Sequence, residues 1–245
     1  MKKLLTTYRE AIIPIAEGII SGGLPANPTI NITEGEFITG GTPEVNSSIT
    51  QNDNYFVFPD GDSYTSHEPS GLLYQNKIIY KQRSINPSKI AFSMNIRVNT
   101  PGIGGYYGLL SLDNSELARI FLSTHRTKGY SIIMGGLDTY KLILARPYLE
   151  YDKWYTFSGY ITENNKIITI ISDGVNDTNY DNDNIIDNLE LDTPIVLGSS
   201  KIKGQYNDYY VDTKSMYLKD FIFYDRYLSE DEFNNLHLWN KLRLK

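Results

Sequence analysis

Tyr217-Leu-Lys-Asp-Phe-Ile-Phe-Tyr-Asp-Arg-Tyr-Leu-Ser-Glu-Asp-Glu-Phe233 reads as two elements joined by a turn. The part that closes at Tyr224 is rich in aromatic and branched residues and suits a strand over residues 215–224. The second part opens a helix. Ser229 is an N-cap by type, and Glu232 three residues on completes a capping box, in which each side chain satisfies the other residue's backbone N–H. Leu228 before the cap and Phe233 after it have the spacing of a hydrophobic staple. Phe233, Leu236 and Trp239 then give the helix a short apolar stripe with which to lie on a sheet.

Upstream, from about residue 50, short β patterns follow one another between Gly, Asn, Asp and Pro. The expected strands are 54–58, 89–98, 106–112, 117–123, 130–134, 140–145, 153–161, 166–172, 194–197 and 215–224. In 89–98, Ile90, Phe92, Met94 and Ile96 share one face, with Lys89, Ser93, Asn95 and Arg97 opposite, the pattern of a strand with one wet face. Strands so spaced, without helices between them, imply a sandwich or barrel. No repeat of fixed period points to a propeller or solenoid.

The closing segment resembles that of laminin G-like, concanavalin A-like jelly-roll domains, which end in a strand, a Tyr-Asn/Asp-Arg turn and Leu-Ser-x-x-Glu. Tyr224, Asp225, Arg226, Leu228, Ser229 and Glu232 match that pattern. Lys153-Trp-Tyr-Thr-Phe-Ser-Gly159 resembles the family's Trp-bearing strand, and Lys166–Val175 resembles the hairpin that follows, departing from it at Ser172 and Asp173. Pro194-Ile-Val-Leu-Gly198 resembles a later strand that ends in glycine. The resemblance covers residues 50–240. It implies an all-β fold, an antiparallel two-sheet jelly-roll sandwich with a short C-terminal helix, and it places Trp154 in the core. It implies no activity, because lectins, glycosidases, adhesion modules and spacers share the fold.

Several chemistries are tested directly on the residues. Retaining glycosidases of this fold carry Glu-x-Asp-x-(x)-Glu, which aims two carboxylates into one cleft. Glu150 and Asp152 open such a pattern, but Trp154 and Tyr155 stand where the second Glu belongs; Glu190 and Asp192 fail likewise at Pro194 and Ile195. His67, His125 and His237 show no ligand spacing, and each is expected in solvent or on a loop. No G-x-S-x-G elbow signals a serine nucleophile. The run Gly102, Gly104, Gly105 precedes no helix and reads as a hairpin turn rather than a phosphate cradle. No catalytic residue and no enzyme activity are therefore expected. Residues 176–192 read as a solvated acidic hairpin loop. Asp177, Asn179 and Asp181 have the first spacings of a calcium loop, but Asn182 replaces its glycine and Asn188 its closing Glu, which leaves calcium open and commits no cofactor. For carbohydrate, which uses aromatic platforms beside Asp and Asn, the candidates are Tyr106 and Tyr107 in a Gly-flanked loop and Tyr206, Asn207, Asp208, Tyr209 and Tyr210.

Residues 1–45 differ in texture. Leu4, Leu5, Tyr8, Ile12, Ala16 and Ile19 recur at helical spacing around Pro14, and residues 29–39 partly alternate through Ile30, Ile32 and Phe37, which suits a strand added to a neighbouring sheet. The expected division is an N-terminal docking or oligomerisation arm over 1–45 and the sandwich over 46–245. Lys2 and Lys3 resemble the start of a signal peptide, but Arg9 and Glu10 interrupt the apolar stretch and no cleavage site follows. A net charge of −6 offers no footprint for nucleic acid, and no apolar run spans a membrane. Without cysteine, disulfides and thiolate chemistry are excluded. An extracellular type of fold without an export signal points to a virion or surface-appendage structural protein, such as that of a phage. The arm would join it to other subunits, with homo-oligomers expected, and a host-cell glycan is the expected ligand. The alternative is a stand-alone lectin-like module of a bacterial surface protein.

Overall fold

The computed structural model describes residues 23–59, 77–80, 84–85, 89–99, 106–113, 118–125, 129–136, 140–144, 150–164, 166–183, 191–192, 195–203, 208–212 and 215–244. The chain first makes β1 (Ile30–Thr33), β2 (Glu36–Thr39), β3 (Glu44–Val45), β4 (Thr50–Asn52), β5 (Tyr55–Val57), β6 (Ile78–Tyr80) and β7 (Ser84–Ile85). It continues with β8 (Ala91–Val98), β9 (Tyr106–Asp113), β10 (Ala118–His125), β11 (Gly129–Gly136), β12 (Tyr140–Leu144), β13 (Trp154–Ile161) and β14 (Lys166–Ser172). It closes with β15 (Asp177–Asp183), β16 (Leu191–Asp192), β17 (Ile195–Leu197), β18 (Ser199–Lys203), β19 (Asp208–Asp212), β20 (Met216–Tyr224) and a helix, α1 (Glu230–Leu242).

Two sheets result. The larger runs β15-β14-β13-β8-β20-β1-β2, with β5 also on β20 and β4 on β5; the smaller runs β12-β11-β10-β9-β17-β6-β3. β7 pairs with β16 and β18 with β19, each as a separate ribbon. Every pairing among the described residues is antiparallel. This is an all-β, jelly-roll-like sandwich with one short C-terminal helix. Phe92, Met94 and Ile96 of β8, Phe157 and Ile161 of β13 and Phe221 and Phe223 of β20 meet Ile78, Leu110, Ile195 and Leu197 of the smaller sheet in one buried core.

Residues 29–45, assigned to the arm from sequence, are built into this sandwich. Ile30, Asn31 and Ile32 pair with Phe223, Ile222 and Phe221, and Ile30 and Ile32 are fully buried in the core. The stretch expected as one strand over 29–39 is thus a hairpin, of which β1 joins the chain's own central strand and β2 pairs with β1. β1 and β2 are linked by Glu34 and Gly35, with φ of 50° and 71°, the left-handed pair that suits a two-residue hairpin. Residues 1–22 of the expected arm lie outside the described residues.

The outer face of the larger sheet departs from the expectation of a wet face. Ser93 and Asn95 of β8 are fully buried, because α1 lies across β8 and β13. The capping box is formed as read: Ser229 Oγ accepts from the Glu232 N–H at 3.2 Å, and Glu232 Oε2 accepts from the Ser229 N–H at 2.9 Å. Leu228 and Phe233 enter one apolar cluster with Ala91, Ile222 and Tyr224 beneath the helix. Among the described residues no helix is long and apolar enough to cross a membrane.

Candidate functional site

α1 divides the outer face of the larger sheet into a buried polar seam beneath it and an aromatic cluster beyond its C-terminal turn. The seam follows from polar residues alternating with core residues on β8 and β13. Ser93 Oγ and Ser158 Oγ lie 2.7 Å apart, and Ser158 Oγ is 2.9 Å from His237 Nδ1. Asn95 Nδ2 donates to Asp220 Oδ2 at 2.8 Å and to the Asn240 carbonyl at 2.9 Å, while Thr156 Oγ1 donates to Asn95 Oδ1 at 2.7 Å. Lys241 Nζ sits 2.8 Å from Asp177 Oδ1.

His237 is therefore buried at 5 % exposure rather than in solvent or on a loop. His67 lies outside the described residues, and His125 ends β10. Ser158, His237 and Asp177 match a hydrolytic triad by type alone. Ser158 is 2 % exposed, its hydroxyl is shared with Ser93, and His237 Nε2 lies 3.7 Å from Asp177 without a hydrogen bond. A substrate cannot reach that hydroxyl, so the group clamps the helix.

Burial pushes the His237 imidazole down to about 4, with Asp177 pulling upward and Lys241 adding to the fall. The folded state then holds His237 neutral where the unfolded chain protonates it. Stability is fully present above the ordinary histidine value of 6.5 and is lost as pH falls toward 4, by roughly 3 kcal/mol. The melting temperature should be flat above pH 6.5 and decline below it, and His237→Gln should flatten that decline. An equal decline in both proteins would remove His237 as its source.

Of the acidic segment expected as a loop, residues 177–183 and 191–192 form strand, and 184–190 lie outside the described residues. Asp177, Asn179 and Asp181 lie on β15, paired with Ser172, Ile170 and Ile168 of β14. Asp177 is engaged by Lys241, and Asp181 lies 3.1 Å from Lys166. Among the described residues no group of three His, Cys, Asp or Glu is placed to hold a metal.

Beyond the helix, one row of residues crosses four strands: Trp154 opposite Arg97, Arg97 opposite Tyr217, and Tyr217 opposite Val57. Trp154, expected in the core, is only half-buried and lies in this outer row. The Arg97 guanidinium lies 4.3 Å from the Tyr217 ring centre and 5.5 Å from that of Trp154. Tyr55 presents its ring nearly perpendicular to both aromatics, at 5.4 Å from Tyr217 and 6.0 Å from Trp154. Asn99 Nδ2 donates to Tyr217 Oη at 2.6 Å, leaving Asn99 Oδ1 buried without a partner. Arg97 Nε, also without a hydrogen bond, lies 3.5 Å from the exposed carboxylate of Asp152. Three half-buried rings thus adjoin a guanidinium, a carboxamide and a carboxylate. That set matches a polyhydroxylated ring, whose C–H face seeks aromatic surface and whose hydroxyls seek planar polar groups. Sequence reasoning named tyrosines but passed over this cluster; the alternation of Arg97 with core residues was its one visible trace.

The tyrosine candidates read from sequence lie on strands rather than loops where they are described. Tyr106 and Tyr107 open β9, opposite His125 and Thr124. Asp208, Tyr209 and Tyr210 lie on β19, opposite Lys203, Ile202 and Lys201 of β18. β18 continues from β17 through Gly198, whose φ is 87°, and the β18–β19 ribbon stays beside β9. The two candidate groups are thereby on neighbouring strands. Tyr206 and Asn207 lie outside the described residues.

No protein-family model matches the sequence, and neither does any curated protein. Solved structures do match. The binding domain of botulinum neurotoxin serotype D superposes with a TM-score of 0.59 at 14% identity, over 87% of this chain and 50% of that one. The binding domain of botulinum neurotoxin DC, in complex with SialylT, gives 0.58 at 14% identity over 89% and 52%. A structure of type C neurotoxin, which depends on interaction with two ganglioside molecules to enter cells, gives 0.55 at 14% over 87% and 50%. What they share with this chain is the fold. The chain spans about half the length of these domains.

Proposed function

We propose that this chain is a non-enzymatic recognition sandwich displayed on a virion or surface appendage, where it grips a cell-surface glycan. The observation that carries the reading is the Tyr55–Trp154–Tyr217 cluster with Arg97 and Asn99 on the outer face. A pyranose laid on the rings would take its hydroxyl contacts from Arg97 and the exposed Asp152 carboxylate. The fold supports the reading from a second side, since domains built on it include one in complex with SialylT and one from a toxin that interacts with gangliosides. Those domains are about twice as long, so their ligands belong to them. Residues 1–22 would fix the sandwich to other subunits of the particle.

A glycan array probed with the parent chain should give discrete binders, and Trp154→Ala should weaken each by about tenfold, the loss of one stacking ring of ~1.4 kcal/mol. Asp152→Asn should also weaken them while leaving the melt nearly unchanged, because that carboxylate is exposed. An array without binders, or binders indifferent to both variants, would overturn the assignment. A second reading rests on the adjoining β9 and β18–β19 strands, where Tyr106, Tyr107, Asp208, Tyr209 and Tyr210 would carry the glycan instead. Binding lost with Tyr106→Ala and Tyr210→Ala but kept with Trp154→Ala would select it. On either surface, a stand-alone lectin-like module of a bacterial surface protein is the alternative setting.

A further inference from the structure

At the opposite end of α1, the first turn of the helix and the β13–β14 hairpin wall an open cavity of about 580 Å³. Its floor is apolar, from Ile168 and Ile170 of β14 with Leu228 and Phe233. Tyr160 of β13 lies stacked on Phe233 at 4.0 Å between ring centres. The rim is polar, with Glu163 and Asn164 from the hairpin and Glu230 and Asn234 from the helix.

Three features mark the cavity as more than a surface dent. Tyr160 is 7 % exposed and lines it, yet its hydroxyl has no hydrogen-bond partner among the described residues. Glu163 and Glu230 make no ion pair among the described residues, so two carboxylates face the space uncompensated. Lys166, the single cation among the described lining residues, is already engaged by Asp181 at 3.1 Å. Burial raises the Tyr160 hydroxyl, and the charges of Glu230 and Asp181 raise it further, which is the mark of a negative potential at the floor.

We propose that this cavity binds an amino sugar. The volume suits a pyranose, and the apolar floor takes its C–H face. Asn164, Asn234 and the Tyr160 hydroxyl take ring hydroxyls, while Glu163 and Glu230 take the ammonium group. An acidic sugar is repelled by the two carboxylates, and an N-acetylated one gives up the charge-assisted contacts. The site lies at the other end of the helix from Trp154 and stands independently of the glycan reading made there.

Isothermal titration of the full chain tests this with three probes: a tetramer of β-linked glucosamine, the same tetramer N-acetylated, and n-pentylamine. The glucosamine tetramer should bind about tenfold tighter than either of the others, and the gap should shrink as salt is raised. The double variant Glu163→Gln/Glu230→Gln should erase the preference. It spares Ser229 and Glu232, so the capping box and the melt should persist. Trp154→Ala should leave this binding intact, which separates failure here from failure of the outer-face platform. Equal binding of the acetylated tetramer, binding of pentylamine as tight as that of the glucosamine tetramer, or no binding by the glucosamine tetramer would each overturn the proposal. Pentylamine binding alone would point instead to a lysine side chain of a partner protein.

Discussion

Removal of residues 1–45 is expected to abolish the folded sandwich, whereas removal of residues 1–22 leaves a cooperative melt. The longer deletion takes out β1, whose Ile30 and Ile32 are fully buried and whose backbone pairs with Phe221, Ile222 and Phe223. Burying an isoleucine is worth about 1.5–3 kcal/mol, so the two side chains alone supply roughly 3–6 kcal/mol. The lost ladder would add to this, since it leaves the central strand β20 open over the same residues. A whole domain is stable by only about 5–15 kcal/mol, so the deletion consumes most of the margin. The hydrogen bond from Tyr224 Oη to the Pro25 carbonyl and that from the Thr29 N–H to the Phe223 carbonyl disappear with it. Deletion of 1–22 spares all of these contacts. Far-UV circular dichroism with thermal melts of the two truncations decides the matter. A cooperative transition in the 46–245 fragment, within a few degrees of the parent, would show that β1 is an accessory.

Replacement of Asp220 by Ala should cost about 3 kcal/mol, through the loss of a fully buried acceptor. β20 changes register against β8 between Leu218 and Asp220, and Asp220 sits in the polar seam opposite Asn95. There its Oδ2 accepts from Asn95 Nδ2 at 2.8 Å and its Oδ1 from the Glu34 N–H at 2.9 Å, with Arg243 Nε at 3.4 Å. One carboxylate therefore ties together β8, the β1–β2 hairpin and the end of α1. Alanine leaves the Glu34 N–H without its acceptor, while Asn95 retains the Asn240 carbonyl and Arg243 retains Glu34 Oε1 at 2.9 Å. Asp220→Asn preserves the shape and one acceptor, so its loss should be nearer 1 kcal/mol. Urea unfolding of both variants measures the difference. A loss below about 1 kcal/mol for Asp220→Ala would mean that water replaces the carboxylate at little cost.

The closing segment was legible because its signals are local. The capping box and staple at Ser229, Glu232, Leu228 and Phe233 depend on spacings of a few residues, and all are formed. The alternation of β8 likewise gave the core face correctly. Its other face was misread because polarity does not say what a residue faces. Ser93 and Asn95 look solvent-bound in sequence, but their partners are Ser158, Asp220 and Asn240, between 65 and 145 residues away. β15 was missed for the same reason: Asp177 and Asp181 read as a hydrated loop until Lys241 and Lys166 are brought beside them. The aromatic cluster also required a fold before it could be seen. Tyr55, Arg97, Trp154 and Tyr217 share no local pattern, and only the strand order β13-β8-β20 with β5 sets them in a row.

The pairing of β1 with β20 also bears on when the molecule can fold. During synthesis Ile30 and Ile32 emerge early, but the strand that covers them is made some 190 residues later. At roughly 5–20 residues per second the early strand waits on the order of ten seconds or more without its partner. The sheet therefore closes only after its last strand leaves the ribosome, and the nascent chain carries an exposed, pairing-competent edge until then. Such non-local closure makes for slow folding and a dependence on chaperone capacity during synthesis.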